Sequence, residues 1–178
     1  MEEFKTLISQ EDIQKRLYEL ANQLDKDYEG KELVVICVMR GSVFFTVDLT
    51  MKMKTKIKFE FLTISSYEGT ESTGQIRLIQ DLRESIEGKD VLILEDIVDT
   101  GRSMKYLLEY LNTKKPKTLK VCVLANKTAR REIEVPIDYI GFEVPNKFIV
   151  GYGFDIDNLY RNLPYIGYVE EKWKNINN

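Results

Sequence analysis

The sequence predicts an α/β fold: a mostly parallel, twisted sheet flanked by helices, in one domain spanning residues 1–178. Three observations predict it. Short, predominantly apolar runs rich in β-branched residues recur at 33–38 (LVVICV), 91–94 (VLIL) and 119–124 (LKVCVL), the pattern of strands buried on both faces. Segments with apolar residues at helical spacing alternate with them. A chain of 178 residues, 43% hydrophobic and 31% charged, suits one globular core.

The elements follow in order. After Ser9, residues Ile13, Leu17, Leu20 and Leu24, joined by Ala21, mark a helix ending near Asp27–Gly30. Ser9 with Asp12 forms a capping-box pattern at its start. A turn at Gly41–Ser42 follows the 33–38 strand, and Val43, Phe44, Val47 and Met51 suggest a helix after it. IKFEFLTI (57–64) alternates and reads as a strand with one wetter face. SSYEGTESTGQ (65–75) is polar and glycine-containing and reads as a loop, with IRLIQDL returning from it as a strand. After VLIL, the residues Met104, Leu107, Leu108 and Leu111 place an amphipathic helix. LKVCVL and IDYIGF (137–142) are further strands around KTARR, and short strands lie near FIVGYG and YIGYV.

Composition excludes several classes. A net charge of −3, from 26 basic and 29 acidic residues, is a poor footprint for nucleic-acid binding. No apolar run reaches the roughly 20 residues of a membrane span. The acidic start MEEFKTLISQ lacks a signal-peptide core. Cys37 and Cys122 sit in apolar runs without a CxxC, so they read as buried thiols in a reducing, cytoplasmic setting and not as a disulfide or metal pair. Histidine is absent. Ser-His-Asp and Cys-His catalysis and histidine-ligated zinc are therefore excluded, and proton transfer falls to Asp, Glu, Lys, Tyr or Cys.

In parallel sheets ligands bind beyond the carboxyl ends of the strands. Three predicted strands end in chemically capable residues: Arg40–Gly41, Glu95–Ser103 and Lys127. In DTGRS (99–103), Gly101 permits close backbone approach, Thr100 and Ser103 add hydroxyls, and the following helix start supplies free amides and a positive dipole end. That is a phosphate cradle, and it is not a Walker loop, because GxxxxGK[ST] is absent. Glu95 and Asp96, which strand alternation sends to opposite faces, suit sugar hydroxyls or Mg²⁺. Phosphate, diol and Mg²⁺ together describe a ribose 5-phosphate. Any one of these acids, taken alone, reads as a solvated helix cap; the whole string after a buried strand does not.

VLILEDIVDTG (91–101) resembles the phosphoribosyl-diphosphate motif of type I phosphoribosyltransferases. The likeness to their hypoxanthine–guanine branch continues at VMRGS (38–42), SSYEGTESTG (65–74), LANKTARR and FIVGYGFDIDNLYRNLPYIG (148–167). It implies that fold, with a small hood built from the N- and C-terminal segments. It also implies Mg²⁺-dependent transfer of phosphoribosyl from 5-phosphoribosyl 1-diphosphate to hypoxanthine or guanine, in purine salvage. By resemblance, Glu95 and Asp96 hold the ribose hydroxyls and, with Asp155, metal. Asp99 takes the purine N7 proton, and residues Asp99, Thr100, Gly101, Arg102 and Ser103 cradle the 5-phosphate. Arg40, Gly41 and Arg161 contact pyrophosphate, and the Met39–Arg40 bond is often cis in the family. Lys127 donates to the 6-oxo group, Phe148 stacks on the base and Ile149 meets its edge by main chain. Ser66 and Tyr67 belong to a mobile lid. Without the resemblance, Lys127 reads as a surface lysine beside Arg130 and Arg131, Phe148 as core, and Asp155 and Arg161 as turn residues. The chain departs from the pattern at Arg40, commonly Lys; at Asn126, often Asp; and at Ala129, frequently Pro. The partners implied are small molecules, with no nucleic acid or membrane, and a homodimer or homotetramer. A nucleotide-sensing RNA-binding regulator of the same fold, or specificity for xanthine or a pyrimidine, stands as the alternative.

Overall fold

Strand and helix alternate along the chain as the apolar runs require. The computed structural model describes residues 4–69 and 72–169, side chains at 66–69 and 72–75 excepted. In order these form β1 (Lys5–Ile8), α1 (Gln10–Asp27), β2 (Glu32–Met39), α2 (Val43–Thr50), β3 (Lys56–Gly69), β4 (Ser72–Gln80), β5 (Asp90–Val98), α3 (Arg102–Asn112), β6 (Thr118–Asn126), β7 (Tyr139–Glu143), β8 (Ile149–Val150) and β9 (Ile166–Tyr168), with a single 3₁₀ turn at Thr128–Arg130.

The main sheet has six strands in the order β4-β3-β2-β5-β6-β7. All its neighbours pair in parallel except β3 with β4. Alternation along the central strands builds a core on each face. Leu33, Val35, Leu92 and Leu94 meet Ile13, Leu17, Leu20 and Leu24 of α1 and Phe45 and Leu49 of α2. Val34, Ile36, Val91 and Ile93 meet Met104, Leu107 and Leu111 of α3. A strand apolar on both faces is stable only in a sheet covered on both sides, which explains why these runs lack polar alternation. The Ser9 hydroxyl accepts from the Asp12 amide at 3.1 Å and donates to its carboxylate at 2.6 Å, so the cap expected from the sequence forms.

A second sheet, β1-β9-β8, joins the N-terminal strand to the C-terminal ones as the expected hood. One expectation is corrected. Residues 65–75 are not simply a loop: β3 runs to Gly69 and β4 begins at Ser72, an antiparallel hairpin. Backbone pairing across a hairpin needs no apolar side chain, so the polar composition concealed it. Both cysteines are buried and unpaired. Among the described residues no helix is long and apolar enough to cross a membrane.

Asp25, near the end of α1, fastens the approach to β3. Its carboxylate accepts from the Thr55 hydroxyl at 2.7 Å, the Thr55 amide at 2.9 Å and the Lys54 amide at 2.9 Å. Burial raises this carboxyl, but the hydrogen bonds, led by the Thr55 hydroxyl, outweigh it and leave the group below its ordinary value. A depressed carboxylate contributes stability above its unfolded pKa and loses it as pH falls through the folded one. Asp25→Ala is therefore expected to cost about 1–3 kcal/mol at pH 7. Its difference from the parent should shrink below about pH 4. Urea unfolding at pH 7 and pH 3 checks this; a difference independent of pH would reject it.

Candidate functional site

The sheet order turns between β2 and β5: successive strands run one way from β2 to β3 and the other way from β5 to β7. Such a switch point opens a crevice at the carboxyl ends of the two strands. Arg40–Gly41 leaves β2 there, and Glu95–Asp99 closes β5 there. Lys127 leaves β6 beside them, its amide donating to the Val98 carbonyl at 3.0 Å. The three strand ends singled out in the sequence thus form one site.

Glu95 and Asp96 do not end the strand. The sheet extends past them to Val98, and the Asp96 amide donates to Glu95 Oε1 at 3.1 Å. Burial pushes Glu95 well above the usual carboxylate range, and the adjacent Asp96 charge adds to it. Burial also raises Asp96, against the hydrogen bond from Glu95, the Ile97 amide and the Arg161 charge. Gly41 lies so close to Asp96 that a Cβ there would overlap the carboxylate, so the glycine makes room for that side chain. Among the described residues, no lysine or arginine forms an ion pair with either acid, and no three metal-ligating side chains cluster.

The next carboxylate is placed differently. Asp99 sits on the turn after β5, with Oδ2 3.3 Å from Arg130 Nη1 and 3.8 Å from Lys127 Nζ. Its Oδ1 is buried and has no hydrogen-bond partner among the described residues. Lys127 is only 6% exposed, which removes the surface-lysine reading, and donates to the Lys147 carbonyl at 3.1 Å. A cationic donor and an unpartnered acceptor therefore stand side by side.

The cradle follows at once. Gly101 has φ +88° and caps α3 without a side-chain bond of its own, and of the first-turn amides Arg102's donates to Thr100 Oγ1 at 3.4 Å. A Cβ at Gly101 would overlap the Ile133 carbonyl. The Thr100 carbonyl accepts from the Glu132 and Ile133 amides, each at 3.0 Å, which fixes the loop from behind. Arg102 turns its guanidinium to Glu132, at 2.6 and 2.7 Å, so its charge is held by that carboxylate. Ser103 is half-buried in the first turn.

Across the crevice, Met39–Arg40 is a cis peptide. Arg40 and Arg161 both reach Asn158 Oδ1, each at 3.4 Å. Arg161 pairs with Asp155 at 2.8 Å and donates to the Gly153 carbonyl at 2.6 Å. Asp155 is thus held by an arginine, with its other oxygen accepting from the Asn158 amide at 2.8 Å. Phe148 is 46% exposed, as a stacking face requires, while Ile149 lies 7% exposed in β8. The backbone of Ser66 and Tyr67 lies in β3, and their side chains lie outside the described residues. Sequence reasoning missed Asn158, Lys147 and Arg131; the first two act through a shared acceptor and a carbonyl, for which no motif exists. A hollow of about 800 Å³ at the opposite strand ends, lined by Asp25, Lys26, Tyr28 and Lys54 among others, contains none of the site residues.

Comparison with known proteins agrees with this geometry. Residues 5–157 match the phosphoribosyl transferase domain model. The chain is 48% identical to a hypoxanthine-guanine-xanthine phosphoribosyltransferase of Tritrichomonas foetus, over 94% of this chain and 92% of that one. It is 46% identical to a hypoxanthine-guanine phosphoribosyltransferase of Staphylococcus aureus, over 92% of each. A crystal structure of a hypoxanthine-guanine phosphoribosyltransferase from Bacillus anthracis superposes with a TM-score of 0.89 at 44% identity, covering 94% of this chain and 100% of that one. With a cradle at the switch point and matches of this extent, the chain belongs to the phosphoribosyl transferase family, in its hypoxanthine-guanine phosphoribosyltransferase branch.

Proposed function

We propose that this enzyme transfers phosphoribosyl from 5-phosphoribosyl 1-diphosphate to hypoxanthine and guanine, giving IMP and GMP with release of pyrophosphate, in the cytoplasm. The observation that carries the reading is the pairing of buried, unpartnered Asp99 Oδ1 with Lys127 Nζ 3.8 Å from the same carboxylate. The imidazole edge of a 6-oxopurine presents an N7–H donor beside an O6 acceptor, which is the complement of that pair. Adenine, with an amino group at that position, would face Lys127 donor to donor. A site built around such a contact discriminates strongly, because the wrong base leaves buried groups unpaired.

The chain's residues divide the work as follows. The 99–103 amides and hydroxyls fix the 5-phosphate, and Glu95 and Asp96 accept from the ribose diol. Asp99 Oδ1 accepts the N7 proton as N9 forms its bond to the anomeric carbon and the bond to diphosphate breaks. Arg40, the Gly41 amide and Arg161 take the charge that grows on the departing diphosphate. Closure of the 56–80 hairpin, with Ser66 and Tyr67, would exclude water from the cationic sugar. Two neighbouring acids with no ion-pair partner among the described residues suit a hard divalent cation, so Glu95 and Asp96 would hold Mg²⁺, which when bound neutralises the diphosphate. Asp155 would join such a site only by sharing its carboxylate with Arg161.

Self-association as a dimer or tetramer is part of the same proposal. It is supported by Phe44, Val47 and Met51, exposed on α2, and Phe59 and Phe61, exposed on β3. No specific observation favours an RNA-binding regulator or pyrimidine specificity. The test is a spectrophotometric assay with phosphoribosyl diphosphate, Mg²⁺ and each base in turn. Turnover of hypoxanthine and guanine with no turnover of adenine or uracil is expected, and kcat/KM for xanthine measured alongside would define the 2-position. Failure to turn over any 6-oxopurine would overturn the reading.

A further inference from the structure

The residue Asn126 departs from the family pattern, and the structure gives its amide two jobs that a carboxylate could not perform together. Asn126 ends β6, is 5% exposed, and lies next to Lys127. Its Oδ1 accepts from Arg131 Nη2 at 2.6 Å, and its Nδ2 donates to Glu143 Oε1 at 2.8 Å. Arg131, with a side chain 7% exposed, also donates through Nε to the Asp99 carbonyl at 3.0 Å and through Nη2 to the Val98 carbonyl at 3.3 Å. Glu143 ends β7. The Asn126 carbonyl accepts from the Val144 amide at 2.9 Å, at the head of the segment that leads to Lys147, Phe148 and Ile149.

These bonds form a continuous brace. It starts at the two backbone carbonyls that introduce the phosphate cradle and carry Asp99. It passes through one guanidinium and one side-chain amide, and it ends at the strand that leads into the wall for the base. We propose that Arg131, Asn126 and Glu143 are positioning residues that lock the phosphate cradle and the base wall into one register, with Asn126 as the joint between them. The brace touches no reacting atom. It acts through where it holds Asp99 and the 143–149 segment relative to each other, and its purpose rests on the function proposed above.

The chemistry makes the joint polar in one direction. An acceptor must face Arg131 and a donor must face Glu143. Aspartate at 126 keeps the acceptor and sets a carboxylate against Glu143. Glutamine at 143 would then supply the missing donor, so Asn126→Asp combined with Glu143→Gln rebuilds the brace with its polarity reversed.

The test is hydrogen–deuterium exchange of the free full-length protein, followed by steady-state kinetics, on Arg131→Met, Asn126→Asp, and Asn126→Asp/Glu143→Gln. In Arg131→Met, exchange is expected to rise about tenfold in both 98–103 and 143–149, with the β2 amides unchanged. Asn126→Asp should loosen 143–149, and the double variant should return it to the parent's rate. For kinetics, a cradle and base wall out of register should lower kcat about 10- to 100-fold in Arg131→Met, with recovery in the double variant over Asn126→Asp. Loosening of only one segment, a uniform rise across the sheet, or no recovery in the double variant would overturn the brace. Parent-like kcat in a variant whose two segments have both loosened would overturn its role in catalysis. The exchange readings need no substrate, so they judge the brace even if the parent fails to turn over a 6-oxopurine, an outcome that counts against the function alone.

Discussion

Asp99→Asn is expected to lower kcat by about 10²- to 10⁴-fold, with KM for phosphoribosyl diphosphate little changed. The size follows from how the carboxylate is held. Arg130 and Lys127 both face Oδ2, at 3.3 and 3.8 Å. An asparagine would turn its oxygen to those cations, because the alternative sets an NH₂ donor against two donors. Its NH₂ would then occupy the place of the unpartnered Oδ1, where the N7 proton arrives. The variant thus loses the acceptor and presents a donor in its stead. The proposed 5-phosphate contacts come from the 99–103 amides and hydroxyls, which an isosteric change leaves in place, so diphosphate-substrate binding should survive. Initial-rate kinetics on the purified variant decide the matter, and an unaltered kcat would reject Asp99 as the proton acceptor.

Gly101→Ala is the second large effect, and it should appear in both stability and binding. At φ +88° a side chain is strained, and here a Cβ also overlaps the Ile133 carbonyl, which is backbone in a residue whose amide donates to the Thr100 carbonyl. Left-handed geometry alone costs an alanine about 1–2 kcal/mol. Relief of the overlap must move either the cradle or the 131–133 segment. KM for phosphoribosyl diphosphate should rise at least about tenfold, a loss of roughly 1.4 kcal/mol in binding, together with a lower Tm. Gly30→Ala is the control. Gly30 also has positive φ, at +71°, but a Cβ there meets nothing within 4 Å. It should lose stability by the strain alone and leave the kinetics untouched. Equal kinetic effects from both substitutions would show that the close approach at Gly101 is irrelevant.

The sequence made the central sheet legible because its strands are apolar on both faces and their lengths are short. The runs at 33–38, 91–94 and 119–124 are β2, β5 and β6, each a residue or more longer at both ends. The ends of β5 were the instructive difference. Glu95 and Asp96 break the apolar run, so the run appears to stop, yet backbone pairing with β6 continues to Val98 opposite Asn126. Side-chain pattern reports burial, and a ladder can outlast it. The cradle could be inferred from Gly101 and its neighbours alone. The assignment of Lys127, Phe148 and Arg161 needed the resemblance, since each has an ordinary role at least as common. The brace through Arg131 was illegible for a different reason: its acceptors are two main-chain carbonyls more than thirty residues away, and no local pattern encodes a carbonyl's position.

The hood has a consequence for how the enzyme comes into being. Its first strand, β1, hydrogen-bonds to β9, with Lys5 opposite Tyr168 and Ile8 opposite Ile166, and β8 completes the sheet from the other side. The earlier of these segments therefore waits for the later ones. Contacts this distant in the chain form late in folding, because closing the loop between them precedes any gain. The parallel sheet and its phosphate cradle can assemble while the chain is still being synthesised. The shelf that carries Phe148 and Ile149 cannot, so under the proposed function the cradle for sugar phosphate is complete before the shelf for the base.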